Sequence, residues 1–299
     1  MTIGDAKKLV GGIELGGTKS IALVARGTEI IAMTRLPTGE PHATLGALCD
    51  SLAKWEVAHG PMRAVGIGSF GPILLDRADP NYGRIASTPK PGWSNIDVVG
   101  HFAKRFDVPI AFDTDVAGAA LAEYHWGAAQ GCGVVIYLTV GTGIGAGILV
   151  DGNPLHGLLH PEIGHIRIRR SMRDAFEGIC AYHGDCLEGI ASGPAIAART
   201  GVAATDLAGD HPIWDEVADE LSEAIAMLML ALSPNRILLG GGVMNARTRL
   251  LDRIRRRTAQ RLASYLPGTD AAALSLILQY PGLGETAGPL GAIALAYRA

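Results

Sequence analysis

Two glycine-threonine turns, each set between apolar β-compatible runs, lie in the two halves of the chain and constrain its fold more than any other feature. The first is Gly11-Gly12-Ile13-Glu14-Leu15-Gly16-Gly17-Thr18-Lys19, followed by Ile21-Ala22-Leu23-Val24 and a strand-like run from Glu29 to Thr34. The second is Val134-Val135-Ile136-Tyr137-Leu138-Thr139-Val140, then Gly141-Thr142-Gly143-Ile144-Gly145 and Ala146-Gly147-Ile148-Leu149-Val150. One strand-turn-strand signature used twice reads as an internal duplication, two similar α/β domains facing each other. At 299 residues the chain also exceeds the size at which a single core keeps growing.

Between the copies, Ala64 to Gly68 reads as a buried strand, Val98 to Phe106 as a helix and Pro109 to Phe112 as a short strand. The Ala-rich stretch Val116 to Ala129 reads as a packed helix. Further on, Trp214 to Leu232 predicts a long helix, Arg236 to Leu239 a strand running into Gly240-Gly241-Gly242, and Thr248 to Tyr265 another helix. The hinge is expected beside Asp113, giving a smaller α/β domain over 1–112 completed by a C-terminal helix at 287–299, and a larger one over 113–286.

Composition narrows the functional classes. Net charge is -3 and the one basic cluster, Arg253 to Arg257, would be partly spread around a helix, so nucleic acid is not the expected partner. The longest apolar run, Ala224 to Leu232, falls well short of the roughly 20 residues a membrane span needs, so it reads as a buried helix and no membrane is expected. Met1 to Val10 lacks the apolar core of a secretory signal, and the setting expected is cytoplasmic. Four scattered cysteines are too few for a disulfide scaffold.

Glycine turns let backbone N–H groups approach phosphate oxygens, because no Cβ blocks the way and φ can be positive. The first turn has neither Walker A nor Rossmann spacing. Each alone reads first as an ordinary hairpin turn; together, with the Thr18 and Thr142 hydroxyls beside them, Gly16-Gly17-Thr18-Lys19 and Gly141-Thr142-Gly143 suit a phosphate chain gripped from both sides. Gly241 and Gly242 would let an adenosine lie on the backbone.

Asp113-Thr114-Asp115 stands where a strand gives way to a helix, the carboxyl-end position at which open α/β sheets carry ligands. Asp115 has two readings: helix N-cap, or general base taking the proton of a sugar hydroxyl as its oxygen attacks the γ-phosphorus of ATP. Asp113 and Thr114 are candidate substrate contacts beside it.

His165 with Cys180-Ala181-Tyr182-His183-Gly184-Asp185-Cys186 supplies four N/S ligands, His165, Cys180, His183 and Cys186, at spacings that close a tetrahedral zinc site. Unrelated cysteines and histidines sharing a loop are the alternative, and a Cys180–Cys186 disulfide is disfavoured in a reducing cytosol. Such a zinc would be structural, and His165 could hold it through one nitrogen while its other N–H meets a sugar hydroxyl. Glu162 and Glu188 flank the cluster, as hydroxyl acceptors or as exposed charge.

Taken together, Glu14-Leu15-Gly16-Gly17-Thr18-Lys19, Asp113-Thr114-Asp115, Gly141 to Gly145, Pro161-Glu162-Ile163-Gly164-His165 and the run from Cys180 to Glu188 resemble the ROK family (repressors, open reading frames and kinases) over nearly the whole chain. Thr88-Pro89-Lys90-Pro91-Gly92-Trp93 and Cys180 to Glu188 are similar to its bacterial fructokinase branch. The resemblance implies an actin-like ATPase (ribonuclease H-like) fold, Asp115 as base, a zinc site of His165, Cys180, His183 and Cys186, sugar contacts from Glu162, His165 and Glu188, and a homodimer. ATP with Mg²⁺ and a structural Zn²⁺ follow as cofactors, and a hexose, D-fructose ahead of others, as substrate. Two residues depart from the family pattern: Glu14 stands where relatives often carry Asp, and Ala117 where they often carry Asn.

The rival within enzymes is a glucokinase or broad hexokinase. A non-catalytic sugar sensor is the rival outside them, but only about ten residues precede the first glycine turn, too few for a DNA-binding helix-turn-helix.

Overall fold

The computed structural model describes residues 8–171, 174–245 and 249–299. The chain divides into two compact units, one holding the residues up to Gln130 with Asn153–Pro161 and Gly282–Ala299, the other Gly131–Gly152 and Glu162–Pro281. The boundary expected at 112 therefore falls inside the first unit. The helix after it stays there because it packs on the C-terminal helix, glycine against glycine.

In the first unit, β-branched and apolar runs become β1 (Val10–Leu15), β2 (Lys19–Arg26) and β3 (Glu29–Pro37), followed by α1 (Pro41–His59) and β4 (Val65–Ser69). Then come α2 (Val98–Ala103), β5 (Ile110–Thr114) and α3 (Asp115–Trp126). The sheet order is β3-β2-β1-β4-β5, with β1 antiparallel to β2 and parallel to β4, and β4 parallel to β5. Helix α1 has no counterpart in the sequence reading. It begins at a Glu40 side-chain cap followed by Pro41, and buries Leu45, Leu48 and Leu52.

Alternation along the strands gives the sheet two different faces. Ile13, Leu15, Val65, Ile67 and Phe112 pack with the buried leucines of α1 and with Phe102 of α2. The opposite face is built from small residues. There a side chain on Gly12 would meet Ile293 and Ala292, and one on Gly66 would overlap the backbone of Ala292 and Ala296. The C-terminal helix Ala287–Ala296 thus lies almost backbone to backbone on the sheet. A side chain on Gly291 of that helix would in turn overlap Gly118 of α3. Glu123 of α3 is fully buried, and its carboxylate accepts backbone N–H groups from Ala128 at 2.7 Å, Gly282 at 3.0 Å and Leu283 at 2.8 Å. One side chain thus fixes the chain just before it leaves the unit at Gln130 and just after it returns at Gly282.

The second unit repeats the scheme. β6 (Val134–Val140) and β7 (Ile144–Val150) form an antiparallel hairpin. Three helices follow, α4 (Leu187–Ala191), α5 (Gly193–Thr200) and α6 (Ile213–Leu232). β8 (Arg236–Gly240) then lies parallel to β6. After α7 (Gly242–Asn245), α8 (Leu250–Leu262) and α9 (Ala271–Ile277), β9 (Leu278–Gln279) pairs parallel with β8. In both units an antiparallel hairpin closed by a glycine turn is extended by parallel strands, so the duplication read from sequence is present in the topology. The expected start of α8 at Thr248, like the first residues of the chain, lies outside the described residues. The apolar run Ala224 to Leu232 sits in α6, where Met227 and Leu230 are exposed and most of the rest is core. Among the described residues no helix is long and apolar enough to cross a membrane.

Replacement of Gly66 by alanine should destabilise the protein by about 3 kcal/mol, because the methyl group must push the C-terminal helix off the sheet. Equilibrium urea unfolding measures this, and an unchanged midpoint would contradict the packing.

Candidate active site

Each unit gathers its own part of the site. In the first, the β1–β2 turn exposes Gly17, Thr18 and Lys19. It is closed by the Gly16 N–H on the Lys19 carbonyl at 3.1 Å and braced by the Thr38 hydroxyl on the Gly16 carbonyl at 2.7 Å. A side chain on Gly17 would meet nothing within 4 Å, so this face of the turn is open to a ligand.

Glu14, on the strand leading into this turn, has its Oε2 buried without a hydrogen-bond partner. Burial raises its pKa above the ordinary carboxylate value, against the pull of Lys19 and Arg35. A side chain on Gly288 would stand 2.6 Å from its Oε1, so the helix glycine leaves the carboxylate its room.

Strand register places Gly68 between Glu14 and Asp113 on the same face of the sheet. At the end of β5 the three candidates part in role. The Thr114 side chain caps α3 by accepting the Ala117 N–H at 3.1 Å. Asp113 is buried, its Oδ1 accepting the Thr114 N–H at 2.7 Å, with His156 Nε2 3.2 Å from both carboxylate oxygens. Asp115 is the first residue of α3, partly exposed, with Oδ1 on the Val116 N–H at 2.9 Å. The N-cap reading of Asp115 therefore passes to Thr114. Ala117 spends its N–H on that cap.

In the second unit, the Gly141 N–H donates to the Gly143 carbonyl at 2.9 Å, and Gly193, opening α5, donates to the Gly141 carbonyl at 2.8 Å. Thr142 is exposed at the tip. A side chain on Gly141 would lie 3.7 Å from the Gly242 nitrogen, so the two glycine turns of this unit stand side by side. Gly241 requires its glycine, with φ at 93° and a side chain that would overlap the Val140 carbonyl, while Gly242 opens on empty space. Glu188 Oε2 accepts the Ile144 N–H at 2.9 Å, and a side chain on Gly143 would meet that oxygen at 2.6 Å. Burial, and next the nearby Glu188 charge, push the Glu162 carboxyl up to about 7.

One ligand atom from each of His165, Cys180, His183 and Cys186 lies within 4.8 Å of all the others. Cys180 and Cys186 Sγ stand 3.6 and 3.5 Å from His165 Nδ1, and Cys180 Sγ 3.8 Å from His183 Nδ1. The sequence assembles this locally: Gly184, with φ at 62°, turns the chain so that Cys180 and Gly184 exchange backbone hydrogen bonds, and the Leu187 N–H on the Ile166 carbonyl at 3.0 Å draws in the His165 segment. All four cysteines of the chain are free. Two imidazoles and two thiols converging in this way are the donor set zinc takes, and they fit it. The buried, unpartnered oxygen of Glu14 is the kind of hard donor that suits Mg²⁺.

A charged network unmarked in the sequence supports the Cys180–Cys186 loop. Arg170 bonds Asp185, which lies between His183 and Cys186, at 3.2 Å and Asp174 at 2.8 Å. Arg199 meets Asp174 at 3.3 Å, Glu216 at 2.5 Å and Glu220 at 2.7 Å. Burial first, and then the competing acids, raise Glu220 to about 7 although Arg199 is bound to it. Nothing in the local pattern identifies these residues, because the partners come from separate segments.

The profile of the ROK family matches residues 10–299. The chain is 45% identical to a fructokinase of Zymomonas mobilis over 298 residues, 98% of each chain. Among solved structures it resembles a ROK hexokinase from Thermus thermophilus, with TM-score 0.79 at 28% identity, covering 97% of this chain and 98% of that one. It also resembles a ROK family glucokinase from Streptomyces griseus in complex with glucose and AMPPNP, with TM-score 0.78 at 25% identity, covering 97% and 100%. The fold is the actin-like ATPase architecture expected from the sequence.

Arg199→Leu should cost about 3 to 5 kcal/mol, since it leaves Glu216 and the buried Glu220 without their cation and Asp174 with Arg170 alone. Thermal and urea unfolding read this directly, and a variant as stable as the parent would contradict the network.

Proposed function

The chain belongs to the ROK family, and on that premise we propose that it is an ATP-dependent sugar kinase converting D-fructose to fructose 6-phosphate. The observation that carries the chemistry is Asp115, a carboxylate at a strand end whose capping duty Thr114 has taken over. It accepts the proton of the sugar 6-hydroxyl as that oxygen bonds the γ-phosphorus; the bond to the β-phosphate oxygen breaks, and ADP leaves with those electrons.

Gly16, Gly17, Thr18 and Lys19 together with Gly141, Thr142 and Gly143 bind the phosphates, and Gly241 and Gly242 leave the adenosine its place. Lys19 and the turn N–H groups offset charge gathering on the transferred group. When bound, Mg²⁺ adds positive charge against the phosphate oxygens, with Glu14 the carboxylate nearest the first turn in sequence. Glu162, His165 and Glu188 accept and donate hydrogen bonds to the sugar hydroxyls. Asp113 and Thr114, both given intramolecular partners, serve the sugar by shaping the turn before Asp115. His165, Cys180, His183 and Cys186 would hold a structural Zn²⁺ that orients His165. A homodimer in the cytoplasm completes the proposal; light scattering in solution tests the dimer.

The test of the base is Asp115→Asn, expected to lower kcat at least about a hundredfold in a coupled ADP-release assay, with the KM for ATP little changed. Near-normal turnover would remove Asp115 from the chemistry. Metal analysis of purified protein should find about one zinc per chain, lost in Cys180→Ser together with thermal stability. Fully stable protein free of zinc would contradict that site.

A further inference from the structure

The segment Asn153–Pro161 groups with the first unit although the chain on either side of it belongs to the second. It is tied down by polar side chains. Arg298 donates to Asn153 Oδ1 at 2.9 Å, His156 Nε2 stands 3.2 Å from each oxygen of Asp113, and His160 Nε2 accepts the Ile73 N–H at 3.1 Å. Between the two histidines Leu158 is fully exposed. The segment is therefore held by its polar residues and not by burying its own apolar ones. The residue that follows it is Glu162.

Of these ties, the one from His156 reaches the catalytic turn. The Asp113 side chain is only 6% exposed, and it meets His156 and the N–H of Thr114. A buried carboxylate needs such partners, and its rotamer is set by them. Thr114 is the cap of α3, and Asp115 is the first residue of that helix. From the other side, a side chain on Gly68 would lie 3.2 Å from the Asp115 Cα, so β4 already presses against this backbone. His156 holds the Asp113 carboxylate that precedes this turn.

We propose that His156 is a positioning residue of phosphoryl transfer, clamping Asp113 through Nε2 and so fixing the strand-to-helix turn from which Asp115 takes the hydroxyl proton. The inference rests on the kinase reading of Asp115. Its scale follows from geometry, since displacing a reacting group by about 1 Å can cost on the order of a hundredfold in rate.

The tie has an electrical side. The hydrogen bond to Asp113 raises the His156 pKa above 6.5 more than anything else acting on it; burial and Arg298 oppose, and the Asp113 charge assists. The charged groups facing the imidazole are Asp113 from β5 and Arg298 beyond the C-terminal helix, with His160 close by on its own segment. A raised histidine is cationic below its ordinary value and loses that charge as pH rises through its folded value. The clamp then weakens from a charge-assisted to a neutral hydrogen bond, roughly half as strong. Wild-type kcat should therefore carry an alkaline limb owing to His156.

Two variants and one titration test this. His156→Leu should lower kcat per folded molecule at least about tenfold, with the KM for ATP within about twofold. His156→Gln keeps an amide donor without the charge, so its kcat should stay within about threefold of wild type near neutral pH while the alkaline limb disappears. A merely structural tie would instead lower the melting temperature of both variants and leave kcat per folded molecule and the pH profile unchanged, which would overturn the proposal. NMR titration of the His156 imidazole, moved back toward 6.5 in Asp113→Asn, reads the pair without any turnover. A wild-type protein that phosphorylates no sugar but shows this shift would refute the kinase reading, and the catalytic role with it, while leaving the pair intact.

Discussion

The close approach of the C-terminal helix to the first sheet is the contact on which the rest of that unit depends. Gly12 and Gly66 give up their side chains so that this helix can lie on β1 and β4, and Gly291 lets it meet α3 at Gly118. The same face carries Glu14 and Asp113, in register on either side of Gly68. The packing that brings the helices onto the sheet thus also decides where its carboxylates stand. A single larger residue at these positions would move the backbone around Asp113 and Asp115 together with the core.

Polar side chains perform the complementary task at the edges. Glu123, with three backbone N–H groups, fixes the stretches next to Gln130 and Gly282, where the chain passes between units. His156 and His160 fix the short segment before Glu162. In the second unit Arg170 and Arg199 link α5 and α6 to the loop that carries Cys180, His183 and Cys186. Each is a buried or half-buried group whose removal leaves a partner unsatisfied, so the energetic cost is local and steep. Division of labour follows: glycines set close approach and charged side chains set position.

Much of this was legible from the residues. Glycine turns between β-compatible runs announced both hairpins, and a helix was expected after Asp115 where an Ala-rich stretch follows a short strand, although its cap is Thr114 and not Asp115. The Cys180 to Cys186 spacing announced the ligand cluster because a seven-residue loop leaves little freedom. Helix α1 was missed, although Leu45, Leu48 and Leu52 show helical spacing, because Gly39, Pro41 and Gly46 punctuate its beginning like a loop. The unit boundary was placed at 112 because nothing in composition marks Gln130, and only the packing of α3 on the C-terminal helix moves it there. His156 and Arg199 were invisible because their partners lie far off in sequence, and tertiary structure alone brings them together.

The central claim is that these two glycine-turn units serve fructose phosphorylation, and the comparison of kcat/KM for fructose with those for glucose, mannose and N-acetylated hexosamines under saturating Mg-ATP tests it most directly. The account predicts that fructose exceeds every aldose by at least about tenfold, since a site built to pair one set of hydroxyls leaves buried polar groups unmatched by another. A preference for glucose or an amino sugar would contradict it.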